Sequence, residues 1–161
     1  MIGIGLIAWG ADEATREAVE QNAGRGRQNN PIAAGEWIKF REGNVRATQI
    51  VRPATDFVNE QMGAVDVQPA VGADFLVIWF ELECKKDFCD ENELDIQLID
   101  NQDSKWPEAV LPLFVSGFDD AVEGSTTAGW QVFEFPKNRE IELIEVKWGA
   151  AKLYVRPPTP E

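Results

Sequence analysis

Phe75 to Cys84, FLVIWFELEC, constrains this chain more than any other segment. Side chains on an extended strand alternate faces, so Leu76, Ile78, Phe80 and Leu82 fall on one side. Phe75, Val77 and Trp79 fall on the other, so the start of the strand needs apolar cover on both faces. A strand of this kind is stable only inside a sheet, and the rest of the chain offers neighbours for it. Trp37 to Phe40 and Asn44 to Val51 are short candidate strands. Leu94 to Asp100 alternates again, with Leu94, Ile96 and Leu98 inward. Trp130 to Phe135 is stopped by Pro136, which has no N–H for a ladder. Ile141 to Trp148 and Lys152 to Val155 follow, separated by Gly149. The Pro-, Gly- and Ala-rich stretch from Arg52 to Ala73 reads as a long loop. Apart from a turn around Ala109 to Phe114, no helical period is visible in this part. Seven or so short strands with turns between them predict an all-β antiparallel sandwich.

The texture before Glu36 is different. Met1 to Gly10, MIGIGLIAWG, is uncharged and apolar, yet well short of the roughly 20 residues a spanning helix needs. It lacks the basic start of a secretory signal, although Ala8-Trp9-Gly10 has the small-x-small look of a cleavage site. It reads as the end of a signal or anchor, as a segment that inserts into a partner subunit, or as a frayed end docked on its own domain. Ala11 to Ala23 has helical composition, with a thin apolar face of Ala14, Ala18 and Val19 and a stop at Gly24. Gly24 to Asn30, GRGRQNN, carries no apolar residue and reads as a flexible linker. The expected division is therefore a lead-in over 1–30, a β-sandwich over 31–156 and an exposed tail over 157–161. A chain starting near Ala34 is expected to fold without the lead-in.

Charge and composition exclude several functions. Lys and Arg total 15 against 28 Asp and Glu, a formal net charge of -13, which a nucleic-acid backbone would repel. His is absent, so no Ser-His, Cys-His or His-metal arrangement forms within the chain. Ser104, Ser116 and Ser125 have no nucleophile-elbow context, and the glycines near the start form no phosphate loop. No catalytic residues and no cofactor are expected.

The order of three stretches, FLVIWFELE, DIQLIDNQDSKW and EGSTTAGWQVFEFP, resembles a family of uncharacterised secreted immunoglobulin-like domains related to the mycobacterial immunoprotective extracellular protein. The resemblance spans roughly Glu36 to Val155. It implies an immunoglobulin-like β-sandwich exported from the cytoplasm, with no catalytic residues to carry over. Many relatives follow a lipoprotein signal with a Cys to be acylated; the Cys residues here are Cys84 and Cys89. The helical lead-in also lies outside the family's pattern.

Cys84 and Cys89 bracket KKDF at a strand exit. Without His or further Cys they cannot close a zinc site, and the spacing is not that of a C-x-x-C redox pair. A structural disulfide is expected, with two free thiols as the alternative; the bridge would fit an oxidising compartment. Asp87, Asp90, Glu91, Asn92, Glu93 and Asp95 crowd the same loop. Of these, Asp87, Asp90, Asn92 and Asp95 are the calcium candidates, against a plain reading as a solvated acidic loop with Lys85 and Lys86 alongside. Trp79, Trp130 and Trp148 are expected around the core, and Trp37 and Trp106 near strand ends.

The resulting expectation is a non-catalytic, extracytoplasmic interaction or structural module, held at a membrane or in an oligomer or larger assembly by its lead-in. Ile2, Ile4, Leu6, Ile7 and Trp9 are the docking residues. The leader could act as a helix or as a strand added to a neighbour in a filament. The alternative class is a soluble small-ligand or calcium-binding module.

Overall fold

The fold follows from the alternation of the long strands. The computed structural model describes residues 2–61, 66–111 and 119–160, and only the backbone of 2–11. Two four-stranded antiparallel sheets face each other. The first holds β1 (Ile38–Lys39), β2 (Gly43–Val51), β3 (Ala73–Cys84) and β8 (Thr126–Pro136) in the order β1-β2-β3-β8. The second holds β5 (Leu94–Asp100), β6 (Lys105–Pro107), β9 (Ile141–Trp148) and β10 (Ala151–Val155) in the order β10-β9-β5-β6. A two-stranded ribbon of β4 (Phe88–Cys89) and β7 (Ala121–Val122) closes one end. The expected antiparallel, immunoglobulin-like β-sandwich is therefore the fold, built from ten strands among the described residues.

Register puts the apolar faces together. Val45 lies opposite Leu82, Ala47 opposite Phe80 and Ile50 opposite Ile78, with a bulge between Ala47 and Gln49. Across the core, Ile96 and Leu153 flank Val146, and Leu98 and Val155 flank Ile144. These side chains are buried, together with Phe40, Phe133, Phe135 and Trp148. Full burial of an aliphatic or aromatic side chain stabilises by roughly 1.5–3 kcal/mol, so this layer is the main source of stability.

The second face of β3 is covered as its sequence requires. The 52–73 stretch, expected as a loop, contains helix α2 (Thr55–Gln61). Ala54 and Val58 pack on Phe75, Val77 and Val132, and Phe57 meets Trp130 edge-on at 5.0 Å. Seven residues with a single adjacent apolar pair carry no helical period, so this helix exists because of the apolar surface beneath it.

The lead-in departs further from expectation. Helix α1 spans Ile2–Gln21, so the leader is helical and does not act as an added strand here. Its second half lies on β10: Ala18 is buried in the core, with Ala14 and Val19 packed against it. Asn22 is 4% exposed, and its amide accepts from the Lys39 N–H (3.0 Å) and donates to the Lys39 carbonyl (2.9 Å). Gly24 to Asn30 is not a free linker. The Tyr154 N–H donates to the Gly26 carbonyl (2.7 Å), and the Gly26 N–H to Asn30 (2.8 Å). Gly26 sits at φ +120°, where a Cβ would lie 2.7 Å from a Leu153 methyl, so only glycine fits. Ile32 then runs parallel to Val155, fully buried, with hydrogen bonds to Tyr154 and from Arg156. The tail is also less exposed than its composition implied, since Pro158 is buried.

Candidate functional site

Two features were candidates: the leader and the acidic loop beside the cysteines. The leader's docking residues Ile2, Ile4, Leu6, Ile7 and Trp9 lie on the first turns of α1, and their side chains are outside the described residues. Among the described residues no helix is long and apolar enough to cross a membrane. The helix axis does fix where the leader goes. The Lys152 N–H donates to Thr15 Oγ1 (3.3 Å), Glu17 pairs with Arg41 (3.1 Å), and Glu13 and Ala14 line a crevice with Glu42, Ala150 and Ala151. Running towards its N-terminus, α1 therefore passes the β9–β10 turn. At 1.5 Å per residue, residues 2–11 extend about 15 Å further.

That same end of the sandwich carries the cysteines. Cys84 and Cys89 form a disulfide across a Cα–Cα distance of 5.9 Å, and both are buried. The bridge ties the exit of β3 to β4, whose Cys89 pairs with Ala121 and whose Phe88 pairs with Val122. The intact mass is expected to rise by two hydrogens on reduction, with alkylation of native protein requiring reductant and denaturant. Immediate alkylation of the folded protein would contradict the buried bridge.

Three of the acidic side chains around it, Asp90, Glu93 and Asp120, make local bonds. Asp90 caps a 3₁₀ turn over Glu91–Glu93, accepting from the Asn92 N–H (2.9 Å) and Asn92 Nδ2 (3.2 Å). Glu93 takes a salt bridge from Lys86 (2.5 Å) and a hydrogen bond from Trp148 Nε1 (3.2 Å). The Lys86 bond and the indole hold the Glu93 carboxyl below its usual range, against the opposing effect of burial. Asp120 accepts from the Glu91 N–H (3.0 Å). Asp95 sits on β5 opposite Lys147, and Asp87 receives the Glu123 N–H on its carbonyl. Asp90 and Asn92 are thus brought together, but Asp87 and Asp95 are not. Among the described residues no three acidic side chains converge as metal ligands. The four calcium candidates are therefore not gathered into one ligand set among the described residues.

A third constellation was not foreseen. Asp100 ends β5 and is fully buried. Its Oδ1 accepts from the N–H groups of Gln102 (2.8 Å) and Ser104 (2.9 Å), and its Oδ2 from Trp106 Nε1 (2.9 Å) and Arg139 Nη1 (2.7 Å). Burial alone would push its carboxyl up. The donations from Trp106, Ser104, Arg139 and Gln102 outweigh that and hold it well below the usual carboxylate range. Trp106 packs edge-on against Phe135 (6.0 Å), over which Arg52 lies at 4.9 Å. Arg52 in turn donates to the carbonyls of Pro136 (2.7 Å) and Arg139 (3.0 Å). All the strong donors of this cluster are turned inward, so it fastens the β5–β6 and β8–β9 turns together. The sequence signal was present: an Asp closing an apolar alternation, with Ser104 and Trp106 close behind.

No family model matches the chain, and no curated protein does. Among the solved structures that share its fold are two β-sandwich proteins. One is the secreted protein MPT63 from Mycobacterium tuberculosis, with TM-score 0.54 and 8% identity over 79% of this chain and 98% of that one. The other is an uncharacterised β-sandwich protein from Clostridium difficile 630, with TM-score 0.50 and 12% identity over 78% and 93%. The likeness is one of fold. It covers the sandwich that the sequence resemblance implied and assigns no residue a role.

Proposed function

We propose that the protein is a non-catalytic, extracytoplasmic module that works by presenting protein surface, held to a larger assembly or a membrane by its N-terminal helix. The observation that carries this reading is the division of labour along α1. From Thr15 to Asn22 the helix is bonded to β1 and β10, whereas the uncharged leader continues past the β9–β10 turn. An apolar helical extension with a firmly anchored base is suited to transmit force or position between the sandwich and whatever buries the leader. Each fully buried Ile, Leu or Trp contributes up to about 1.5–3 kcal/mol before ordering costs, so a few of them suffice for attachment. The location is supported by the buried disulfide, which persists in oxidising compartments. The interior of the fold is filled with apolar side chains, and its best-organised polar cluster, around Asp100, is internally satisfied.

The test is Leu6→Asp with Ile7→Asp. The double variant is expected to leave the particulate fraction for the soluble one with its melting temperature unchanged, because the described contacts that fasten α1 to the sandwich, those of Thr15, Ala18 and Asn22, lie further along the chain. Retention of the variant with an unchanged melt would show that the leader is not the attachment.

A further inference from the structure

The β4–β7 ribbon displays what sandwich cores hide. Phe88 and Val122 are direct register partners, 50% and 59% exposed, while the next pair, Cys89 and Ala121, points inward. The display is rigid. The disulfide holds one strand, the Gly124 N–H donates to the Cys84 carbonyl (2.9 Å), and Ser125 Oγ both accepts from and donates to Val122 (3.0 and 2.7 Å). In sequence the apolar pair is flanked by Asp87, Asp90, Glu91, Asp119, Asp120 and Glu123, with Lys85 and Lys86 alongside, and the Glu123 N–H on the Asp87 carbonyl and the Glu91 N–H on Asp120 tie the two acidic runs together. The nearby cations are already engaged: Lys86 with Glu93, and Lys85 Nζ on the Phe40 carbonyl (3.2 Å). The ribbon also shares an end of the molecule with the leader, since the Lys85 N–H donates to the Glu42 carbonyl (2.9 Å) and Glu42 lines the crevice beneath Glu13.

We propose that Phe88 and Val122 form a docking knob for a protein partner that offers an apolar pocket rimmed by Lys and Arg, next to the place where that partner takes up the leader. This rests on the leader reading above and makes it more specific. An apolar centre among charged groups is the usual anatomy of a recognition patch, and here the carboxylates outnumber the two lysines. A basic partner is attracted to it; a second copy of this acidic chain and an anionic lipid surface are both repelled. The preorganised ribbon loses little freedom on docking, which favours a specific contact over loose adhesion.

The test places a photo-crosslinking phenylalanine derivative at Phe88, with Val71 as a control position that is more exposed and precedes the start of β3, at the other end of that strand from Cys84. Full-length protein is irradiated in the cells that produce it. The expected product is an adduct at Phe88, absent at Val71, to an apolar peptide of another protein flanked by Lys or Arg. Neutralising the rim with Asp87→Asn, Asp120→Asn and Glu123→Gln is expected to lower the yield about tenfold, as loss of steering charge does. Equal yields at the two positions, an adduct to a second copy or to lipid, or a yield indifferent to the rim would overturn the proposal. None of these results bears on the leader, whose own failure is read separately from the Leu6→Asp, Ile7→Asp fractionation.

Discussion

Asp100→Ala is expected to cost about 3–5 kcal/mol of unfolding free energy, the size of effect seen when one partner of a buried ion pair is removed. The substitution leaves the Trp106 indole N–H, the Arg139 guanidinium and two turn N–H groups facing a small apolar cavity. Native stability is usually only about 5–15 kcal/mol, so the loss is a large share of the whole. Chemical denaturation of wild type and variant at pH 7 measures it. Arg139→Met should cost less, since Asp100 keeps its other donors and only the Arg139 side chain, 26% exposed, is lost. The double variant should then fall short of the sum of the two single losses, because the groups share one network.

The same carboxylate sets a pH dependence. Its folded value lies below the unfolded one, so its contribution is complete above the unfolded value of about 3.9 and is lost as pH falls towards the folded value. The stability gap between wild type and Asp100→Ala should therefore be flat from pH 8 to 5 and narrow only below about pH 4. A gap that closes near neutrality would mean that Asp100 is not held as an ion.

What could be read from the sequence and what could not divides along a physical line. β3, β5 and β9 were legible because period-two burial is written in consecutive residues. The cover over the outer face of β3 was legible as a need, from Phe75 and Val77, but its supplier was not: α2 has too few apolar residues to announce itself. The Cys84–Cys89 bridge followed from spacing and from the absence of other thiol chemistry. The Asp100 cluster was legible only in part: Ser104 and Trp106 follow the Asp closely, but Arg52 and Arg139 reach the cluster from distant parts of the chain, and no local pattern records that. The 24–30 stretch misled for a related reason. Its bonds are made by main-chain groups, and its composition resembles a linker whether or not those groups find partners.

Deleting residues 1–33 is the sharper test of that last point, and it is expected to unfold the sandwich or bring it close to unfolding. The deletion removes Ile32 from full burial, strips Ala14, Ala18 and Val19 from β10, and leaves both polar groups of Lys39 without Asn22. It also frees the edge of β10, whose Tyr154 N–H and C=O are satisfied by Gly26 and Ile32. An open edge beside Leu153, which the segment around Gly26 covers in the full chain, invites association with other chains. Ile32 alone accounts for roughly 1.5–3 kcal/mol, and each hydrogen bond lost to water adds about 0.5–1.5 kcal/mol. A deletion of residues 1–10 removes none of these contacts and should melt as the full chain does. Thermal melts and size-exclusion profiles of the two deletions decide the matter. If the 1–33 deletion stays monomeric and melts with the full chain, the lead-in is an appendage after all. If only the shorter deletion does so, the boundary between body and leader runs through the middle of α1. The residues that position the leader then belong to the same core as the strands.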